Sequence, residues 1–248
     1  SGLFFRNGWT FKNLNEIRTE FNYFPARWED RNSFGNGAYK MHDRFVGELA
    51  FGTDTSQKVS FSALVGMRQE ELSDWTLRSS VGLTYKPADQ FSLDLDLNYF
   101  ERKGWLLHNT ERLMTKYDAG DFQPRLGMDI FFTAKQQLRL TVQWAAIKAE
   151  ATEFFVIPEQ GGTLVSLEDS NGYNPINSVR ADFALSRLTS QIRYRWEIGP
   201  LSDFFLVYTR GSNLPNRAEE SFGELWEDAI SYPIVDTYVA KLRYRFGN

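Results

Sequence analysis

Two histidines, His42 and His108, and no cysteine leave this chain few groups able to exchange protons or act as nucleophiles near neutral pH. A serine–histidine hydrolase needs a histidine held beside a hydroxyl by neighbouring strands. His42 lies near Ser33 and His108 near Thr110, but both fall in polar stretches that read as loops, and nothing in the spacing fixes their geometry. They read as surface histidines, so no catalytic residue is assigned and the chain is not expected to be an enzyme. The sequence shows no zinc-ligand cluster, phosphate-cradling loop or nucleic-acid-binding patch. No metal, cofactor or nucleic acid is expected. Segment 212–233 gathers Glu219, Glu220, Glu224, Glu227 and Asp228 beside Arg217. Such a loop could bind calcium, but it lacks EF-hand spacing and reads as a solvated loop.

Most of the remaining charge follows a period of two, the signature of strands with one apolar and one polar face. In Phe91-Ser92-Leu93-Asp94-Leu95-Asp96-Leu97-Asn98-Tyr99, Phe, Leu and Tyr line one side while Ser, Asp and Asn line the other. Leu188, Ser190, Ile192, Tyr194 and Trp196 alternate with Arg187, Thr189, Gln191, Arg193 and Arg195, and Tyr238 to Phe246 repeats the pattern. Eleven strands are expected, at 3–12, 15–28, 44–53, 57–69, 74–86, 90–102, 122–133, 136–150, 185–198, 203–211 and 234–246. Most reach ten residues, whereas strands of soluble domains average about 5–6 and a tilted bilayer-crossing strand needs about 9–11.

The connections alternate in length. Short turns fall at 12–15, 54–57, 87–89, 134–136 and 199–202, and longer polar loops at 29–43, 103–121, 151–184 and 212–233, with a shorter one near 70–73. Loop 151–184, with Gly161-Gly162 and Asp169 to Pro175, is the longest and a candidate constriction or partner contact. Short turns on one side and long loops on the other are the pattern of outer-membrane barrels. Mean hydropathy is −0.44, and no apolar run approaches the roughly 20 residues of a membrane helix. That excludes helical spans and not strands, whose alternation hides them from a sliding window. The lack of cysteine suits an oxidising compartment.

The fold expected is therefore all-β: a transmembrane antiparallel up-and-down barrel in a bacterial outer membrane, with the whole chain as one barrel domain. Aromatic residues near the strand ends, Phe11, Tyr85, Phe91, Tyr99, Phe132, Trp196, Tyr244 and Phe246, fit interfacial girdles. Eleven is odd, single-chain bacterial barrels are even-stranded, and the chain begins mid-pattern without a visible signal peptide. Further strands upstream are expected, because an open sheet edge cannot face lipid.

Placing the polar face inward gives the lumen Arg18, Glu20, Glu48, Arg68, Arg78, Asp94, Asp96, Arg125, Asp129, Arg139, Arg193, Arg195, Lys241 and Arg243. Arg6, Lys12, Arg44, Lys86, Arg187 and Arg245 join them, with Glu16 and Glu197. Basic groups outnumber acids about two to one. Rings of Arg and Lys favour anions, although Arg–Glu ladders filling the lumen would produce the same composition.

Several motifs carry a family resemblance: Leu185-Ser186-Arg187-Leu188-Thr189, Arg193-Tyr194-Arg195-Trp196-Glu197-Ile198, Pro200 to Arg210, and Val239-Ala240-Lys241-Leu242-Arg243-Tyr244-Arg245-Phe246. With Trp9 to Asn13 and Leu83 to Leu93, they resemble the C-terminal barrel of the DUF5916 family, often labelled carbohydrate-binding family 9 domain-containing proteins. The resemblance implies an outer-membrane barrel preceded by a β-sandwich similar to carbohydrate-binding modules. The last strand also resembles a barrel-assembly signal, although Gly247 and Asn248 follow the final aromatic and Lys241 stands where glycine is common.

Two functions compete. One is a pore or uptake barrel for small or glycan-related solutes with a basic lumen. The other is a plugged barrel that anchors or scaffolds other outer-membrane subunits. Either way the expected partners are outer-membrane lipid and lipopolysaccharide, the barrel-assembly machinery and the upstream strands or domain.

Overall fold

The computed structural model describes residues 2–167, 182–216 and 220–246. The alternating segments pair with their neighbours into one antiparallel sheet. Its strands are β1 (Leu3–Thr10), β2 (Glu16–Phe24), β5 (Arg44–Gly52), β6 (Val59–Gln69), β7 (Trp75–Ala88), β8 (Phe91–Thr110), β9 (Leu113–Thr133), β10 (Gln136–Val156), β12 (Phe183–Gly199), β13 (Ser202–Asn216) and β14 (Val235–Arg243), in that order. The eleven expected strands are the eleven of this path. β11 (Val165–Ser166) adds a short pairing to β10, and β3 (Arg27–Glu29) with β4 (Tyr39–Met41) forms a separate hairpin. Among the described residues β1 pairs only with β2 and β14 only with β13, so the sheet is open at both edges.

Several boundaries differ from expectation. Strand 15–28 stops at Phe24, where Pro25 removes a ladder donor, and its remainder becomes β3. Segment 103–121 is no loop: β8 and β9 run on as a hairpin that turns at Glu111–Arg112. Gly104 hides this in the sequence, because its left-handed backbone (φ 72°) makes a bulge between Arg102 and Trp105 that switches the phase of the alternation. β10 continues to Val156, and the Asp169–Pro175 stretch lies outside the described residues.

Segment 212–233 contains the end of β13 and a helix, α1 (Phe222–Ser231). Arg217 and Glu219 lie outside the described residues. A capping box starts the helix: the Glu224 amide donates to the Ser221 hydroxyl at 3.3 Å, and the Ser221 amide donates to the Glu224 carboxylate at 2.7 Å. Leu225 and Ala229, four residues apart on one helix face, are fully buried.

Cross-strand register sorts the side chains into two faces. Odd positions of β1, β2 and β5 to β8 share a face with even positions of β9, β10 and β12 to β14. This face is apolar. Its first charged groups beyond the band are Glu101, Asp118, Lys148, Arg210 and Asp236, all toward the long-loop end.

Buried apolar clusters also lie toward that end. Tyr39 and Met41 of the β3–β4 hairpin pack on Leu106, Met114, Phe155 and Ile157. α1 packs on Trp144, Ala146, Ala184 and Leu188, where the Trp144 indole donates to the Ser186 hydroxyl, which donates to the Leu225 carbonyl. Met114, Trp144 and Leu188 continue the apolar face. The hairpin and helix thus cover this face near the loops.

Below that level nothing covers it among the described residues. Val65 is 64% exposed, Leu49 54%, Leu77 47% and Val81 43%. Monomeric soluble proteins rarely leave contiguous apolar patches larger than a few hundred Å² in water. No helix of the described residues is long and apolar enough to cross a membrane, which says nothing about strands.

Candidate functional site

The opposite face carries the charge. Arg18, Glu20, Glu48, Arg68, Arg78, Asp94, Asp96, Arg125, Asp129, Arg139, Arg193, Arg195, Lys241 and Arg243 all lie on it, as their registers require. Lys12 falls in the first turn and Arg245 follows β14, so neither belongs to a strand.

Ion pairs cross the ladders. Arg6 donates to Glu20 at 2.9 Å and Arg139 to Asp129 at 2.8 Å, each to its cross-strand partner. Arg78 reaches Glu48 at 3.1 Å past Gly66 on the strand between them. A Cβ at Gly66 would sit 2.9 Å from the Glu48 side chain, so the glycine makes this passage possible. Asp203, nearly fully buried, takes Arg195 at 2.9 Å and also Arg243. Arg102 pairs with buried Asp121 at 2.8 Å and lies over the rings of Phe100 and Trp105.

Asp121, Asp203 and Arg102 were missing from the inward set expected from sequence. Arg102 ends the expected strand 90–102, Asp121 ends the segment 103–121 expected as a loop, and Asp203 opens the expected strand 203–211. The period-two spacing of Asp121 with Gln123, Asp203 with Phe205 and Arg102 with Asn98 is the signal the sequence offers.

Three guanidiniums of β9 and β12 stand apart. The side chains of Arg125, Arg187 and Arg193 make no ion pair or hydrogen bond among the described residues; Arg44, at the start of β5, makes none either but feels the charges of Glu71 and Glu70. Asp96, the cross-strand partner of Arg125, lines a separate cavity with Ser62, Gly82 and Thr84. The face is therefore divided: hydroxyls and carboxylates at β6 to β8, free guanidiniums at β9 to β12.

The aromatic residues form one belt and one outlier. Phe11, Tyr85, Phe91, Phe132, Trp196, Tyr244 and Phe246 all sit at or near the short-turn ends. Tyr99 is not at a strand end, because β8 continues beyond it to Thr110. It lies opposite Phe122, at the level of α1. Eight residue steps separate Phe91 from Tyr99, roughly 26 Å along a strand and roughly 20 Å at a tilt near 40°.

His42 is exposed, and the hydrogen-bonding groups around Ser33 and His108 are backbone and amide. Ser33 is buried with its hydroxyl bonded to the carbonyls of Asp30 and Gly37. His108 Nε2 lies 2.7 Å from the Glu111 carbonyl and 3.4 Å from Asn36 Nδ2. The β3–β4 hairpin is instead tied down by Glu71, which accepts from the Tyr39 hydroxyl at 2.5 Å and from Asn32 at 3.3 Å. Burial pushes the Glu71 carboxyl above its ordinary range, against the pull of these bonds and of Arg44. Among the described residues no cluster of His, Asp and Glu could hold a metal ion.

An open antiparallel sheet of long strands with one exposed apolar and one charged face defines the class. The chain belongs to the DUF5916 family, described as a domain of unknown function, whose model matches residues 2–246. No curated protein matches it. Among solved structures it is similar to a chain titled "Copper transporter OprC", at 12% identity and a TM-score of 0.45. That match covers 97% of this chain and 40% of the other, so the chain spans less than half of that structure's length.

Proposed function

We propose that the chain forms most of an outer-membrane β-barrel whose charged face lines a basic lumen admitting small anionic or glycan-related solutes. The supporting observation is the uncovered apolar band between the turn-end aromatic belt and the first charges near α1. Its height approaches the roughly 25 Å of outer-membrane barrels, and among the described residues protein covers the face only above it. In this reading lipid covers the band, lipopolysaccharide meets the long-loop end, and the β14 end carries the assembly signal. Strands beyond the eleven pair the edges of β1 and β14, since unpaired backbone groups in lipid cost several kcal/mol each. The role is passage rather than catalysis.

Free Arg125, Arg187 and Arg193 support anion preference. Reversal potentials in planar bilayers under a salt gradient test it: anion selectivity is expected, and cation selectivity contradicts it. A second reading rests on Phe205, Val207, Val235 and Val239, which make the charged face apolar beside the β14 edge. A segment plugged against them would leave a silent barrel that anchors other outer-membrane subunits. A protein that inserts, passes no current and co-purifies with partners would favour this reading.

A further inference from the structure

We infer that the groove lined by Arg125 and Arg187 is a binding site for a small polyhydroxylated carboxylate, such as a sugar acid. This rests on the proposal that the charged face is a water-filled interior. The groove has a volume of 370 Å³ and is also lined by Asn98, Gln123, Gln143 and Thr189. That is near the lower end of small-molecule sites, about 300–1,000 Å³.

The chemistry follows from which groups have partners. Arg6, Arg78, Arg102, Arg139, Arg195 and Arg243 each hold a carboxylate. Among the described residues Arg125 does not, although Asp96 lies directly across the ladder. Asp96 faces the cavity on the other side of β8, which leaves Arg125 to the groove. Arg187 enters from β12, offset from the Arg125–Gln143–Thr189 row by one inward position. Two guanidiniums with free forks from strands flanking β10 match a carboxylate geometrically, and Arg does this better than Lys because its donors are planar and paired. The amides of Asn98, Gln123 and Gln143 and the Thr189 hydroxyl provide donors and acceptors suited to ligand hydroxyls. A bare inorganic anion would leave these groups unused, and a neutral sugar would leave both charges unmatched.

The test is calorimetric titration of the full protein in detergent with sodium D-glucuronate and, separately, D-glucose. Glucuronate should bind at least tenfold more tightly than glucose. The double substitution Arg125→Gln with Arg187→Gln should remove at least tenfold of that affinity, and Arg18→Gln, on β2, should leave it unchanged. Arg187→Lys keeps the charge and loses the fork, so it should give an intermediate loss; with circular dichroism of the wild type, it shows that loss reflects the site and not misfolding. Equal binding of the two sugars, or unchanged glucuronate affinity in the double variant, overturns the site. A barrel that binds glucuronate but passes no current keeps the site and loses the pore. One that conducts anions but gives no glucuronate heat keeps the pore and loses the site.

Discussion

Gly66 and Asp203 show how single residues set the electrostatics of the charged face. Gly66 leaves room for Arg78 to reach Glu48 across a whole strand. Asp203 gathers Arg195 from β12 and Arg243 from β14. Asp203→Asn should leave two arginines facing each other and loosen the β12–β13–β14 end. The expected readout is a lower temperature for loss of the compact gel species in detergent, with Asp94→Asn, at a carboxylate that accepts from the Thr84 hydroxyl, as a milder control.

Glu71 sets a pH dependence. Its folded pKa is raised, so the folded hairpin binds the proton more readily than the unfolded chain does. The resulting stabilisation is therefore present at low pH and fades as pH rises through the folded value. Proteolysis within 25–43 should accelerate over that rise in pH, and Glu71→Gln should flatten the profile. At this scale alternation alone sorts the polar strand residues onto the charged face, Lys12 and Arg245 falling outside the strands. Pairing was not legible, because register depends on turn and bulge geometry that a sequence pattern does not specify.

At the level of elements, α1 was the largest surprise, although its signals were present. Ser221 and Glu224 have capping-box spacing, and Leu225 and Ala229 share a helix face. The acidic residues of 212–233 mask that pattern, because Glu219, Glu220, Glu224, Glu227 and Asp228 give the segment the composition of a solvated loop. Ser221→Ala should cost the helix about 1 kcal/mol, and Leu225→Ala about 2–5 kcal/mol by opening a cavity against Trp144 and Leu188. Both should show as altered Trp144 and Trp226 fluorescence, because those indoles lie 5.2 Å apart between ring centres and α1 carries one of them. The extended β8–β9 hairpin escaped for another reason: one left-handed glycine switched the phase of an alternation that otherwise continues.

For the whole molecule, the account depends on what touches the apolar band. Val81 is 43% exposed, and in water an exposed substitution shifts stability by about 0.5 kcal/mol at most. In the middle of a bilayer, Val81→Arg should instead cost about 2–4 kcal/mol, while Ser80→Arg, one residue along and facing the charged side, should be far milder. Folding yield into vesicles measures the difference.

The most direct measurement places spin labels along β7 and β10 of the vesicle-inserted protein, at Val81, Leu83, Leu138 and Leu140, then at Ser80, Gly82, Arg139 and Thr141. The first set should relax with oxygen, which concentrates in hydrocarbon, and ignore a water-soluble nickel chelate; the second should do the reverse. If the first set is shielded from both reagents, as side chains packed inside a protein core would be, the apolar face does not meet lipid and the account fails.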